Sequence, residues 1–239
     1  MQKTVLITGG SRGIGAATVR TFAAAGYRVA FSYLNSEARA RELAEETGAY
    51  PVRCDVSDSK QVSEMVDNVL DKFCQLDILV CNAGVAWQGL LTDMTDDEWH
   101  KVIATDLDGV FYCCRAVLPH FIHRKVGKII TISSMWGQIG ASCEVAYSAA
   151  KAGVIGLTKA LAQEVGPSGI TVNCVAPGLI HTEMNAKIDP EALETLAFET
   201  PLGRSGTPEE VAKSILFLAS EGADFITGQV ISPNGGLVM

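Results

Sequence analysis

The sequence predicts a doubly wound α/β domain: a seven-stranded, mainly parallel sheet with helices on both faces. Short β-rich runs alternate with longer helix-like stretches along the whole 239-residue chain. Several of those runs are nearly all apolar, as strands covered by helices on both faces must be. A glycine-rich segment separates the first run from the first helical stretch, where such folds hold nucleotide phosphates.

The candidate strands are Thr4–Thr8, Arg28–Tyr33, Tyr50–Val56, Asp77–Asn82, Lys128–Ser133, Ile170–Ala176 and Gly228–Ser232. Between them, helices announce themselves by caps and periodicity. Thr207-Pro208-Glu209-Glu210 offers an N-cap, a proline at the first helical position and a glutamate closing a capping box. Val211, Ile215 and Leu218 follow at helical spacing. Thr95 and Glu98 form a second box ahead of Trp99, Val102 and Ile103, and Val154, Leu157, Leu161 and Val165 repeat every three or four residues. No linker or charge run divides the chain, so residues 1–239 read as one domain.

Composition narrows the function classes. The net charge of −8 weighs against a sequence-independent grip on nucleic acid or anionic lipid, a local basic patch aside. The start, MQKTVLITGG, passes straight into an apolar strand with no secretory pattern, and no run approaches the roughly 18 apolar residues of a membrane helix. Seven cysteines, none in a CxxC pair, read as reduced core residues of a cytoplasmic protein. His100, His120, His123 and His181 lack metal-ligand company, so no metal site is expected.

The first strand ends in TGGSRGIG, Thr8 to Gly15. Glycines at 9, 13 and 15 suit a strand-to-helix turn whose unshielded amides receive a pyrophosphate. The spacing is G-x-x-x-G-x-G, and its place after a first strand supports dinucleotide binding. The second strand ends in Ser32-Tyr33-Leu34-Asn35, without the acid that an NAD-selective site places against the ribose 2′-hydroxyl. Arg12 offers a planar fork to a 2′-phosphate, unless it is only a solvated loop residue, and the balance favours NADP(H).

Residues 147–151 read YSAAK. Spacing by four puts Tyr147 and Lys151 on one face of the helix that carries Val154 and Leu157. By itself the pair reads first as two surface residues, and only second as an acid with its tuning cation.

TGGSRGIG, CDVSD around Asp55, NAG at Asn82–Gly84, Ser134, YSAAK and APGLIHT at Ala176–Thr182 occur in this order over essentially the whole chain. Together they resemble the short-chain dehydrogenases/reductases. Within that family GLLTDMTDDEW, GKIITISSMWG, GITVNCVAPGLIHTEM and FITGQVISPNGG are most similar to 3-oxoacyl-(acyl carrier protein) reductases. The resemblance implies a Rossmann-type fold, NADP(H) as cofactor, and a homotetramer. It implies Ser134, Tyr147 and Lys151 as catalytic residues, with Asp106, at the position of the family's asparagine, counted among them. Gly9, Ser11, Arg12, Gly13, Ile14 and Gly15 would hold phosphates, Asp55 and Val56 the adenine, and Asn82, Ala83 and Gly84 the adenosine ribose. Pro177, Gly178, Ile180 and Thr182 would lie at the nicotinamide, and Tyr147 and Lys151 would also touch the cofactor.

The groups themselves suit reduction of a ketone. Ser134 is placed to hydrogen-bond the developing alkoxide and Tyr147 to protonate it. A free phenol titrates near 10, and Lys151, with the oxidised nicotinamide's charge, is expected to bring Tyr147 down. The expected activity is NADPH-dependent reduction of a 3-oxoacyl thioester, carried by acyl carrier protein or coenzyme A, in fatty acid biosynthesis. The alternatives are reduction of another small ketone, sugar or cyclic alcohol, or a nearly inactive NADP(H)-binding sensor.

The sensor alternative rests on Asp106, which stands where the family usually has an asparagine whose backbone carbonyl holds a relay water. A carboxylate near Lys151 would partly cancel the ammonium; the favoured expectation is that Asp106 points elsewhere. The basic patch that meets an acidic carrier protein is also thinner, with Lys125 at one arginine position, Ser168 at the other and Lys128 close by. Trp87 and Trp136 read equally as pocket lining or as core and subunit contacts, and Cys143 reads as filler or a pocket thiol.

Overall fold

The computed structural model describes residues 2–185 and 190–239. Its strands are β1 (Thr4–Ile7), β2 (Arg28–Tyr33), β3 (Tyr50–Arg53), β4 (Ile78–Cys81), β5 (Gly127–Ile132), β6 (Ile170–Val175) and β7 (Val230–Ile231). They form one sheet in the order β3-β2-β1-β4-β5-β6-β7. Every pairing is parallel, where the sequence predicted a mainly parallel sheet. This is the Rossmann-type arrangement: the order reverses between β1 and β4, opening a crevice beyond the carboxyl ends of the strands.

The helices are α1 (Gly13–Ala24), α2 (Glu37–Thr47), α3 (Ser59–Phe73), α4 (Asp96–Ile103), α5 (Gly109–Arg124), α6 (Met135–Ile139), α7 (Val145–Val165), α8 (Pro190–Glu199) and α9 (Pro208–Ala219). Both predicted capping boxes are present, at Thr95/Glu98 and Thr207/Glu210. Between α4 and α5 the chain makes a π-helical turn, Ala104–Asp108, which nothing in the sequence announced.

Side chains alternate across each strand, so the sheet has two cores. Leu6, Leu79, Ile129 and Val172 face one side with Val66 of α3, Val117 of α5 and Val154 of α7. Val5, Ile7, Val80 and Ile130 face the other with Val19 of α1 and Ile215 of α9. All four residues of β1 and of β4 are buried, which accounts for their apolar runs.

Most strands are shorter than the sequence suggested. β3 stops at Arg53 because the Asp55 carboxylate folds onto the next turn, accepting the Ser57 N–H at 3.0 Å and the Ser57 hydroxyl at 2.7 Å. Lys128 has a structural occupation: its ammonium donates to the Ser220 carbonyl at 2.7 Å and pairs with Asp224 at 2.6 Å. Among the described residues no helix is long and apolar enough to cross a membrane, and no group of three His, Cys, Asp or Glu side chains converges as metal ligands would.

Candidate active site

The predicted site residues gather at and beyond the carboxyl ends of β1, β3, β4, β5 and β6. The glycine turn is held from below: the Gly9 N–H donates to Ser32 Oγ at 3.1 Å and the Gly10 N–H to the Ser32 carbonyl at 2.8 Å. Asn82 Nδ2 donates to the carbonyls of Thr8 and Gly9 at 2.9 and 3.1 Å, and Thr8 Oγ1 accepts the N–H groups of Asn82 and Ala83, both at 3.0 Å. Asn82 and Ala83 therefore fix the turn, whatever else they touch.

The turn leaves no room for side chains. Gly9 and Gly13 have φ of +64° and +53°. A Cβ on Gly15 would meet the Gly9 carbonyl oxygen and lie 2.6 Å from Asn82 Nδ2. At the start of α1 the N-cap residue is Arg12, which makes no side-chain cap, and the first turn carries no acid. The first amides of that helix are thus unshielded by any carboxylate, which fits a phosphate group. Gly13 faces Thr182, whose methyl would be 3.7 Å from a Cβ there. Asp55 and Val56 lie past the end of β3, Val56 packed on Gly109.

Arg12 is exposed. Beside it Arg39 of α2 pairs with Glu183 at 2.8 Å, and Arg12 and Arg39 together hold the Glu183 carboxyl below its usual range. Sequence reading missed Arg39; its only signal was a cationic position on the helix that follows β2.

Ser134 caps α6, accepting the Trp136 N–H at 3.2 Å. Its hydroxyl also acts on Tyr147, favouring the phenolate. The end of β5 and the short helix α6 are locked onto α7. Ser133 Oγ donates to the Lys151 carbonyl at 2.8 Å, and a Cβ on Gly137 would lie 2.7 Å from the Lys151 carbonyl carbon. Deeper in α7, Thr158 Oγ1 meets Thr131 Oγ1 of β5 at 2.7 Å.

Lys151 is 3% exposed and Asp106 is 0% exposed. The Lys151 ammonium donates to the Ile132 carbonyl at 3.1 Å, lies 3.0 Å from Asp106 Oδ2, and stands 5.5 Å from the centre of the Tyr147 ring. Its contact with Asp106 is a charge pairing without good hydrogen-bond alignment at Oδ2. Asp106 Oδ1 accepts the Val85 N–H at 2.8 Å. The expectation that Asp106 points elsewhere is therefore corrected: the π turn swings its carboxylate inward, onto the lysine.

Lys151 acts on Tyr147 in the expected direction, and burial opposes it. Burial pushes the Tyr147 phenol above its ordinary value; Lys151 and the Ser134 hydrogen bond pull down, while Asp106 and Glu144 push up. The net direction is upward, although Tyr147 keeps part of its surface in solvent, which softens the burial contribution. Burial draws Lys151 down, but Asp106 and Tyr147 outweigh it and hold the ammonium charged. Burial raises the Asp106 carboxyl against the pull of Lys151 and the Val85 amide.

Glu144, three residues before Tyr147, was not singled out by sequence. Its half-buried carboxyl is raised by burial and accepts from Gln88 Nε2 at 2.9 Å. Trp87 packs in a small cluster with Val102, Ala146, Ala150 and Tyr147. Trp136 is half-buried. Cys143 is exposed and holds a left-handed backbone, φ +63°. Pro177 and Ile180 are buried, and Gly178 lies against Asn234, 2.7 Å from a hypothetical Cβ. Ser11 and Ile14 are half-buried at the turn.

A family model described as enoyl-(acyl carrier protein) reductase matches residues 9–238. The chain belongs to the short-chain dehydrogenase/reductase family. It is 43% identical to the 3-oxoacyl-[acyl-carrier-protein] reductase FabG of Chlamydia trachomatis, over 99% of this chain and 98% of that one. It is 41% identical to the FabG of Staphylococcus aureus over 100% and 99% of the two chains. An acetoacetyl-CoA reductase of Rhizobium meliloti is 45% identical over 99% and 98%. The chain thus spans 98–99% of the length of these three relatives.

The close packing at Gly15 has a measurable consequence. Gly15→Ala should displace the turn and weaken binding of NADPH at least about tenfold, roughly 1.4 kcal/mol, in titration calorimetry, with the far-ultraviolet circular dichroism of the folded protein retained.

Proposed function

We propose that this protein reduces a 3-oxoacyl thioester to the 3-hydroxyacyl thioester with NADPH, as a step of fatty acid biosynthesis. The observation that carries the reading is the buried Lys151 ammonium 5.5 Å from the centre of the Tyr147 ring, on the same side of the sheet as a glycine turn that leaves no room for side chains. The full-length relatives named as 3-oxoacyl and acetoacetyl-CoA reductases support a ketone as the group reduced.

NADPH, when bound, supplies the hydride that the carbonyl carbon accepts. Ser134 already accepts the Trp136 amide, so its own hydrogen is available to the substrate oxygen in an oxyanion-hole role. Tyr147 gives its proton to that oxygen as charge develops there: the phenol O–H breaks, the alcohol O–H forms, and the phenolate regains a proton from solvent. One N–H group of Lys151 is donated to the Ile132 carbonyl and the ammonium pairs with Asp106 by charge, leaving donors for a ribose hydroxyl of the nucleotide. Gly9, Ser11, Gly13, Ile14 and Gly15 receive the pyrophosphate. Asp55 and Val56 border the adenine, Asn82 to Gly84 the ribose, and Pro177, Gly178, Ile180 and Thr182 the nicotinamide. Arg12 takes the 2′-phosphate, with Arg39 alongside.

The partner is an acyl carrier protein or coenzyme A thioester, and the working form a cytoplasmic homotetramer of single-domain chains. Lys125 is exposed and touches the turn of Ser168: a Cβ on Gly169 would lie 2.6 Å from the Lys125 carbonyl oxygen. Both precede strands β5 and β6, at the sheet end remote from Ser134. A carrier that meets Lys125 therefore delivers its thioester to the cleft of another copy, which a homotetramer allows.

Steady-state oxidation of NADPH with acetoacetyl-CoA should show turnover; tight NADPH binding without turnover across a panel of ketones would overturn the proposal in favour of a sensor. Tyr147→Phe should keep NADPH affinity while kcat falls by about 10²–10⁴-fold; a near-normal rate removes the phenol from the proton step. Arg12→Ala should raise the Kd for NADPH more than that for NADH, and equal losses would remove Arg12 from the 2′-phosphate.

A further inference from the structure

Asp106 is a fully buried charge that the proton and hydride transfers do not themselves require. It is fixed from three sides. The π turn carries it inward, the Val85 N–H donates to Oδ1 at 2.8 Å, and Lys151 Nζ stands 3.0 Å from Oδ2. Gly84 leaves the passage open: a Cβ there would lie 2.7 Å from Oδ2 and 3.4 Å from Nζ. An ammonium and an amide N–H at these distances favour the ionised carboxylate.

The charges facing the site are few. Around Tyr147 they are Lys151 on the same helix, Asp106 from the π turn and Glu144 from the start of α7, with the Ser134 hydroxyl from the end of β5. Around Lys151 they are Asp106, Tyr147 and the Cys174 thiol of β6. A lone lysine would favour loss of the phenol proton. Here a carboxylate lies against the ammonium, and a second one, Glu144, adds to it.

We propose that Asp106 is a positioning residue that holds Lys151 and keeps the proton on Tyr147, biasing the site toward carbonyl reduction over alcohol oxidation. The inference rests on Tyr147 being the proton donor. Reduction consumes the phenol: its O–H bond breaks as the alcohol O–H forms and hydride arrives on carbon. Oxidation needs the phenolate, which accepts the alcohol proton as hydride leaves. By offsetting the Lys151 field, Asp106 extends the protonated form to higher pH. Removing the carboxylate leaves the ammonium unopposed, so the phenol loses its proton at lower pH.

Asp106→Asn isolates the charge, because the amide oxygen still accepts from Val85. The phenolate band of Tyr147 is read by ultraviolet difference titration, each protein against its own Tyr147→Phe counterpart, and needs no turnover. The midpoint should lie at lower pH in Asp106→Asn than in the wild type. The alkaline fall of acetoacetyl-CoA reduction and the alkaline rise of 3-hydroxybutyryl-CoA oxidation should move the same way, raising the ratio of the oxidation kcat to the reduction kcat, each at saturating substrates, severalfold at neutral pH. Asp106→Ser carries the same expectation and serves if the asparagine variant does not fold. A midpoint that stays in place or rises, with Tyr147→Phe still inactive, overturns the role of Asp106 alone. A midpoint that falls while both rate profiles stay fixed overturns instead the proton-donor reading beneath it.

Discussion

The site depends on keeping one ammonium out of water. Lys151 has almost no solvent contact, and burying a cation of that size costs several kcal/mol unless partners replace its hydration. Three elements supply them: the last residue of β5 gives a carbonyl, the π turn a carboxylate, and the preceding turn of the same helix an aromatic ring. The end of β5, the α4–α5 junction and the start of α7 cannot shift independently without stranding that charge.

The sheet makes such a convergence possible. Parallel strands deliver all their carboxyl ends to one edge, so residues 75 positions apart, Thr8 and Ala83, meet through a single hydroxyl. The same edge carries Ser32, Asn82 and Ser134. The hydrogen bonds that shape the glycine turn come largely from neighbouring strand ends. The phosphate cradle and the β4 end that borders it are therefore one mechanical unit.

Much of this was legible in the sequence. Strands buried on both faces must be apolar, which exposed β1, β4 and the rest; glycines with positive φ and capping boxes exposed the turns and helix starts. Strand ends were less legible, because what stops β3 is a side chain turning back on its own backbone at Asp55. The position of Asp106 was visible but its direction was not, since a π turn leaves no residue signature. Glu144 escaped because its approach to Tyr147 follows a left-handed residue, Cys143, that is not glycine. The upward displacement of the phenol is a sum over burial and four neighbours, and a spacing rule sees only one of them.

A π turn holds one residue more per loop than an α-helix, which resets the rotational phase of everything after it by about 100°. Before Ala104 the apolar stripe, with Val102, looks toward Ala146 and Ala150 beside the reactive helix start. After Asp108 the stripe of Val110, Cys113, Val117 and Phe121 looks onto the sheet. One continuous helical stretch thus serves two different surfaces. Deleting a single residue within 104–108 would turn one of those stripes to the wrong side, so the length of this segment is constrained as tightly as its composition.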